Sequence, residues 1–318
     1  MDKIWNIPEI QLIPLAEVHE PRPVLLITCP ADWERVRARL RLPLVNTLQP
    51  IAARLEHWET LMELLGDLHA EVVYAVGSAL AIDTARYLAE EYSLPLVCIP
   101  TALDTDAFLT HTVNIQEDGC VRTMPGVPAQ RVVVDFEIVA TAPAERRARG
   151  LSNVLSLATA AWDWKLAEQR GKNLPGKGFN QYLYDQTQAI LHGATECAPA
   201  AGRGDPDGLK QLLDCLCLEV QLRNQAGHDR LAKGSEHYFA YAAQNLPEVG
   251  LEWQEFIGQG ILLAAEWQGQ DRTRLEGALR AAGILVDRVR APEIAQLKKS
   301  LPGYCKQHKL DYGIAHEI

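Results

Sequence analysis

The sequence predicts an α/β half followed by an all-helical half, and three observations support this prediction. Up to about residue 144, short apolar runs alternate with amphipathic segments, whereas from Ala144 onward the periodicity is helical only. The 318 residues are 47% hydrophobic with a mean hydropathy of −0.11, so the chain can bury a large core in two domains. We therefore predict an α/β domain at 1–144 and a helical domain at 145–318.

The first half is predicted to form a parallel sheet covered by helices, because its strand-like and helix-like segments alternate. The strand-like runs are PVLLITCP (23–30), EVVYAV (71–76), LPLVCIPT (94–101) and VVVDFEIV (132–139). The helix-like segments are ADWERVRARL (31–40), HWETLMELLGDL (57–68) and AIDTARYLAEEY (81–92). The loops at the strand ends should open onto a cleft between the two domains, where ligands usually bind.

The second half contains six segments with helical periodicity and one predicted loop. The helical segments are 144–169, 179–198, 207–225, 234–245, 251–268 and 271–283. The stretch APAAGRGDPDG (198–208) is rich in glycine, proline and aspartate, which favours a loop between two helices.

Composition narrows the function classes. The chain has 31 Lys and Arg against 41 Asp and Glu, and a net charge of −10 disfavours nucleic acid as a partner. No apolar run reaches the roughly 18 residues that a membrane span needs. The seven cysteines form no CxxC pair, and nothing before Pro8 reads as a secretory signal, so we expect a reducing, cytoplasmic location. Cys215 and Cys217 would diverge on a helix and could not clamp one metal together.

The stretch EVVYAVGSALAIDTAR predicts a strand, a turn of small residues and a helix that starts near Ile82. This arrangement can present backbone N–H groups to a phosphate. Only Gly77 is a glycine. Ser78 and Ala79 are small, so they narrow the path by which a phosphate approaches the backbone without blocking it. A plain strand-to-helix turn is the alternative, since a turn with few glycines is weak evidence for a nucleotide.

Two further stretches carry side chains that could act in a site. PTALDTDAFLT (100–110) follows a strand and offers Asp104, Thr105 and Asp106, although aspartate and threonine are equally common in turns and caps. In GSEHYFAYAAQ (234–244), Ser235 is expected to cap a helix that carries His237 in its first turn and Tyr241 on the same face. A lone histidine is more often structural than a ligand and needs partners to bind a metal.

Seven stretches in order resemble a known superfamily: VGSALAIDTAR, PTALDTDAFLT, RGLSNVLS, AAWDWKLA, GSEHYF, IGQGILLAA and the strand before them. The superfamily comprises glycerol-1-phosphate dehydrogenase, glycerol dehydrogenase, iron-containing alcohol dehydrogenases and dehydroquinate synthase. The resemblance covers residues 70 to 265, and DWKLA and GSEH are most similar to glycerol-1-phosphate dehydrogenase. It implies a dehydroquinate synthase-like fold, NAD or NADP on the N-terminal sheet, and zinc or iron held by one aspartate and two histidines in the helical domain.

The resemblance implies cofactor contacts, and the sequence departs from the family's pattern at several of them. The implied contacts are Gly77, Ser78, Ala79, Asp83, Thr101 and Thr105. Where the family writes GGGSxxDxAK, this chain keeps one glycine of three and has Arg86 in place of lysine. We therefore expect a turn without backbone strain, and dissociation constants for NAD and NADP that are weaker than micromolar.

The implied metal site departs further from the family. The ligand aspartate falls on Asn153, the first histidine on His237 and the second on Trp253, and an indole cannot ligate a metal. A shift by one residue would bring Glu252 to the last position, with Glu255 on a neighbouring turn, so a remodelled site with His237 stays open. We expect that no stoichiometric zinc or iron binds.

The resemblance implies an NAD(P)-linked alcohol or polyol dehydrogenase similar to glycerol-1-phosphate dehydrogenase, with a depleted metal site. Asp106 and His237 are the residues expected to line its substrate site. The alternative is a non-redox member that binds a ligand or a partner in the cleft. A lyase of the dehydroquinate synthase kind is disfavoured because we find no cluster of basic residues for a phosphate. The expected partner is a small molecule, and a homo-oligomer remains open.

Overall fold

The computed structural model describes residues 7–246 and 251–318. Its contacts divide the chain into two compact units, one ending at Arg147 and the other beginning at Ala148. In the first unit, six parallel strands form one sheet in the order β1-β8-β5-β4-β2-β3. These strands are β1 Glu9–Leu12, β2 Val24–Thr28, β3 Leu44–Leu48, β4 Val72–Val76, β5 Leu96–Ile99 and β8 Arg131–Val134.

Five helices and an antiparallel hairpin complete this unit. The helices are α1 Pro30–Val36, α2 Leu55–Leu65, α3 Ala79–Glu91, α4 Phe136–Ala140 and α5 Ala144–Arg147, and the hairpin strands are β6 Thr112–Glu117 and β7 Cys120–Pro125. Every residue of β2, β4 and β5 is buried, which explains their continuous apolar sequences. The predicted α/β class is confirmed, whereas the apolar pattern of the sequence did not predict β1, β3 or the hairpin.

Two predicted boundaries in this unit were wrong. The helix after the Gly77 turn begins at Ala79 and not near Ile82, because small residues at the turn allow helical backbone at once. The run VVVDFEIV is not one strand, since β8 stops at Val134. The Asp135 side chain then accepts hydrogen bonds from the backbone N–H groups of Glu137 and Ile138 and starts α4.

The sheet has a topological switch point between β2 and β4. The chain leaves β2 for β3 on one side, and β4 then pairs with the other side of β2. In open parallel sheets, ligands bind in the crevice outside the carboxyl ends of the strands at such a point. The loops after β2 and β4 are therefore the ones that matter for a nucleotide.

The second unit is helical throughout its described residues. Its helices are α6 Leu151–Leu155, α7 Leu157–Gln169, α8 Gln181–Arg203, α9 Pro206–Ala226, α10 Ser235–Ala243, α11 Ile257–Trp267, α12 Thr273–Ala281 and α13 Ala291–Gln307. Four short 3-10 turns are also present in the described chain, of which Trp253–Phe256 is the one that concerns the site.

The predicted loop 198–208 was wrong, because α8 and α9 form a tight helical hairpin there. Helix α8 continues through Pro199 to Arg203 and ends on Gly204, whose φ of 81° is the left-handed conformation that favours glycine. The Asp205 carboxylate caps α9, and Pro206 takes its first helical position. Glycine and proline therefore mark a two-residue connection here rather than a loop.

All seven cysteines are free thiols. Over residues 7–246 and 251–318, the structure contains no helix with the length and apolar character that a membrane crossing requires.

Arg86 fixes the hairpin to α3. Its side chain is fully buried and donates hydrogen bonds to the backbone carbonyls of Ala107, Thr110, Thr112 and Val127, at 2.7 to 3.0 Å. Asp83, one turn earlier on α3, lies 3.8 Å from Arg86 Nη1 and supplies an opposite charge. A planar guanidinium can serve this many acceptors, whereas an ammonium cannot match their positions.

We predict that Arg86→Lys lowers the free energy of unfolding by about 2 to 4 kcal/mol, because buried carbonyls lose their donors. Denaturant unfolding followed by circular dichroism measures this loss. Arg122→Lys on β7 is the control, since the Arg122 side chain is 37% exposed and lies 3.8 Å from Glu117. This control should change stability by less than about 0.5 kcal/mol. Equal stability of the Arg86 variant and the wild type would contradict the prediction.

Candidate active site

The turn after β4 keeps glycine at the one position that requires it. Gly77 has a φ of 129°, and a Cβ there would lie 2.7 Å from Asp32 Oδ2, so no other residue fits. Ser78 takes ordinary extended backbone angles, with a φ of −84°, and α3 follows directly. The Ser78 side chain makes no capping hydrogen bond to α3. The turn therefore carries no backbone strain at Ser78 and can present the first N–H groups of α3 to an anion.

A polar cluster lies beside this turn at the switch point, and we call it the Asp32 cluster. It comprises the buried residues Asp32, Thr101 and Asp104 and the half-buried Arg35 and Arg146. Asp32 Oδ1 accepts a hydrogen bond of 2.6 Å from Thr101 Oγ1 and one of 3.2 Å from Arg146 Nη1. Arg146 Nε donates to Asp104 Oδ2 at 2.9 Å. Burial lowers the pKa of Arg146, but the Asp104 and Asp32 carboxylates outweigh it and raise that pKa above the ordinary value.

The remaining predicted residues of this unit serve its local structure. Asp83 is buried beside Arg86. Thr105 Oγ1 accepts a 3.0 Å hydrogen bond from the N–H of Ala107, and the backbone carbonyl of Asp106 accepts one of 2.8 Å from Leu109. These contacts shape the loop that carries Asp106. The roles of Asp83, Thr105 and Asp106 toward a cofactor or substrate stay predictions.

In the helical unit, the Asp163 carboxylate of the DWKLA stretch anchors the start of α10. Its Oδ2 accepts hydrogen bonds from the backbone N–H and the hydroxyl of Ser235, at 2.7 and 2.6 Å. Its Oδ1 accepts from the N–H of Ile314 and from Gln268 Nε2, both at 2.9 Å. The pKa of Asp163 is raised to about 6, mainly because the carboxyl group is completely buried and secondly because the Glu236 carboxylate is near.

This anchor corrects the predicted cap of α10. Ser235 was expected at the N-cap, but the N-cap is Gly234, and Ser235 is the first helical residue. The Ser235 hydroxyl is directed to Asp163 instead of to the helix. A Cβ on Gly234 would lie 2.8 Å from the Cα of Ala160, so α7 and the start of α10 require this glycine.

Glu236 and His237 form a buried pair. Glu236 Oε1 accepts a 2.7 Å hydrogen bond from the N–H of Gly234 and lies 2.8 Å from His237 Nδ1. Glu236 Oε2 accepts a 2.8 Å hydrogen bond from Thr159 Oγ1. A carboxylate beside Nδ1 assigns the imidazole proton to that nitrogen and leaves a lone pair on Nε2. In the part of the chain that the structure describes, Nε2 makes no hydrogen bond.

Two aromatic rings surround His237. The ring centroids of Tyr241 and Trp253 each lie 5.9 Å from that of His237 and 5.3 Å from each other. The predicted shared face of His237 and Tyr241 on α10 is confirmed. Trp253, which the sequence assigns to the second histidine position, lies against the histidine that the chain retains.

The residues present do not fit a zinc or iron site of the family's kind. An indole stands beside His237, and residues 7–246 and 251–318 contain no group of three His, Cys, Asp or Glu side chains that could hold a metal. Glu255 lies 2.9 Å from Arg288 Nη2 and is engaged there. Asn153 lies half-buried on α6, and Glu252 is exposed just before the Trp253–Phe256 turn.

Sequence reasoning missed Asp32, Arg146, Asp163 and Glu236. Asp163 lies within DWKLA and Glu236 within GSEH. For Glu236 a signal was available, because its carboxylate directly precedes His237 in the sequence. Asp32 and Arg146 come from segments 114 residues apart and carry no motif that would join them.

The comparisons with known proteins agree with this architecture. A family model described as iron-containing alcohol dehydrogenase matches residues 33–143. The glycerol-1-phosphate dehydrogenase (NAD(P)+) of Methanothrix thermoacetophila is 26% identical over 68% of this chain and 60% of its own length. The corresponding enzyme of Thermococcus kodakarensis is 25% identical over 73% of this chain and 65% of its own length. The match thus spans less than two thirds of these relatives.

Solved structures share the fold. A probable glycerol dehydrogenase from Sinorhizobium meliloti superposes with a TM-score of 0.74 at 17% identity and covers 96% of this chain and 91% of its own. Glycerol dehydrogenase from Schizosaccharomyces pombe gives a TM-score of 0.67 at 14% identity and covers 96% of this chain and 83% of its own. These findings show that the chain has the dehydroquinate synthase-like fold and is similar in sequence to glycerol-1-phosphate dehydrogenases and, over residues 33–143, to iron-containing alcohol dehydrogenases.

Proposed function

We propose that the protein is an NAD(P)-linked alcohol or polyol dehydrogenase that resembles glycerol-1-phosphate dehydrogenase and has a depleted metal site. The observation that carries this proposal is the buried Glu236–His237 pair, which leaves His237 Nε2 with a lone pair. The curated relatives are named as NAD(P)-dependent enzymes of that kind, which supports the cofactor class. The Gly77 turn lies at the switch point of the sheet, where parallel-sheet proteins bind nucleotides, which supports a dinucleotide as the ligand.

The proposed chemistry moves a proton through His237. NAD(P)+, when bound, supplies the hydride acceptor for the carbon that bears the substrate hydroxyl. His237 Nε2 takes the hydroxyl proton as the carbonyl forms, so the alcohol loses one hydride and one proton in total. The Glu236 carboxylate holds the Nδ1–H and stabilises the imidazolium that results. Asp106 is assigned to the substrate site, and the half-buried side chain can accept a hydrogen bond from a polyol hydroxyl.

The depleted metal site sets an expectation for the rate. A positioned proton acceptor contributes about 10²- to 10⁴-fold to a rate, whereas a metal also polarises the oxygen and contributes several kcal/mol. With a tryptophan beside His237 instead of a second ligand, the second contribution is missing in this proposal. We therefore expect turnover well below that of a metal-dependent dehydrogenase.

A second candidate function is a non-redox member that binds a ligand or partner with the same fold. The contact of Trp253 with His237 supports this candidate, because an aromatic ring packs against the histidine and an indole cannot act as a metal ligand. An assay with NAD+ or NADP+ and with glycerol 1-phosphate or glycerol as probes, followed at the absorbance of the reduced nicotinamide, separates the two. A His237→Gln variant should abolish turnover, whereas His192→Gln, exposed on α8, should leave it unchanged. No turnover above background by the wild type would favour the second candidate.

Glu236→Gln tests the pair directly. The glutamine keeps the shape and a hydrogen bond to His237 but removes the charge that stabilises the imidazolium. We expect kcat to fall about 10- to 100-fold with KM nearly unchanged, as for supporting carboxylates of this type. Glu266→Gln, exposed on α11, is the matched control. A wild-type kcat for the Glu236 variant, with the fold verified by circular dichroism, would rule out the proton-transfer role.

The protein should contain no stoichiometric zinc or iron. Asn153 and Trp253 stand in two of the three ligand positions, and neither replaces the charge of a carboxylate or the imidazole of a second histidine. Elemental analysis of protein purified without chelator measures the content. About one tightly held dication per chain that disappears in His237→Gln would contradict this expectation.

The double change Asn153→Asp with Trp253→His should create divalent-metal binding. Three protein ligands hold zinc much better than two, so each single variant should bind poorly. Trp253 is largely buried, and its replacement should lower stability by about 3 kcal/mol or more, so the fold is verified first. Zinc titration by calorimetry measures the gain, and a folded double variant that binds no zinc would show that Asn153 or Trp253 does not occupy a ligand position.

A further inference from the structure

The Asp32 carboxylate occupies the switch point of the sheet. Asp32 follows β2, and Gly77 follows the neighbouring strand β4. The side chain of Asp32 is almost fully buried, and its Oδ2 lies 2.7 Å from the place where a Cβ of Gly77 would be. A fixed negative charge thus lies directly against the turn that would receive a dinucleotide phosphate.

The positive charges nearby are directed to carboxylates. Arg146 Nη1 and Nη2 lie 3.2 and 3.4 Å from Asp32, and Arg146 Nε lies 2.9 Å from Asp104. Arg35 Nη1 lies 3.9 Å from Asp32 and donates to the carbonyl of Thr101 at 3.0 Å. Two guanidinium groups therefore face two carboxylates within the Asp32 cluster, and its formal charges cancel.

The hydroxyl of Thr101 is also committed to this group. Its Oγ1 donates a 2.6 Å hydrogen bond to Asp32 Oδ1, and Thr101 is fully buried; its expected contact with the cofactor stays a prediction. Asp32 thus engages the arginine and the hydroxyl that could otherwise bind a phosphate at this point.

We propose that Asp32 is a specificity residue that disfavours organic diphosphates at the switch point, by placing its own carboxylate against the Gly77 turn. This inference rests on the proposed dinucleotide binding by the α/β unit. Neutralising Asp32 leaves the Asp32 cluster with one excess positive charge and strengthens its attraction for a diphosphate. A nucleoside that lacks phosphates does not sense this charge, so the effect is confined to ligands that carry the diphosphate.

The test compares Asp32→Asn with the wild type by calorimetric titration with ADP-ribose, NAD+ and adenosine. We expect ADP-ribose and NAD+ to bind at least about tenfold more tightly to the variant, which is about 1.4 kcal/mol, and adenosine to bind equally to both. Asp67→Asn is the matched control, because it removes the same charge from an exposed position of the same unit. This control excludes an effect of net charge alone.

Asp104→Asn is the second variant, in case Asp32→Asn does not fold. It removes one negative charge from the same cluster without touching the Gly77 turn, so a smaller gain in ADP-ribose affinity is expected. Thermal unfolding identifies which variants are folded. Unchanged or weaker ADP-ribose binding by the folded variants would overturn the proposal. The titration measures binding and not turnover. The proposal about Asp32 can therefore hold in a protein that shows no dehydrogenase activity, and it can fail in a protein that is active, so the two proposals are tested separately.

Discussion

One buried carboxylate, Asp163, joins segments that are far apart in the sequence of the helical unit. It lies on α7 and accepts hydrogen bonds from Ser235, Ile314 and Gln268, which come from three other parts of the chain. Burying a carboxylate is unfavourable unless its oxygens accept hydrogen bonds, and here each of the two oxygens accepts two. The start of α10 is thereby fixed, and the orientation of Glu236 and His237 follows from it.

Two features of the structure have the same form: a side chain packs directly against a residue that the sequence analysis singled out. Beside His237, the indole of Trp253 lies with its ring centroid 5.9 Å from that of the imidazole. Beside Gly77, the carboxylate of Asp32 engages Arg146 and Thr101. In the helical unit, aromatic rings pack against the Trp253 indole. In the α/β unit, the Asp32 carboxylate forms an ion pair with Arg146.

Much of the fold could be predicted from sequence because its signals are local. The apolar runs of β2, β4 and β5 are buried throughout, so their composition alone identifies them. The predictions failed where a single side chain or glycine ends an element, as at Asp135 and at Gly204. Such endings depend on one capping contact, and periodicity over a window cannot locate it.

The sequence by itself determined the fold class, the order of the family's stretches and the position of His237, because each depends on residue types at fixed spacings. It also assigned Trp253 to a ligand position, and only the tertiary structure placed that ring 5.9 Å from His237. The contact of Glu236 with His237 Nδ1 and the placement of Asp32 against the Gly77 turn were likewise decided in three dimensions. The first depends on the hydrogen bond between Thr159 and Glu236, and the second on the ion pair between Arg146 and Asp32. Both pairs join elements that are far apart in the chain and meet only when the protein folds.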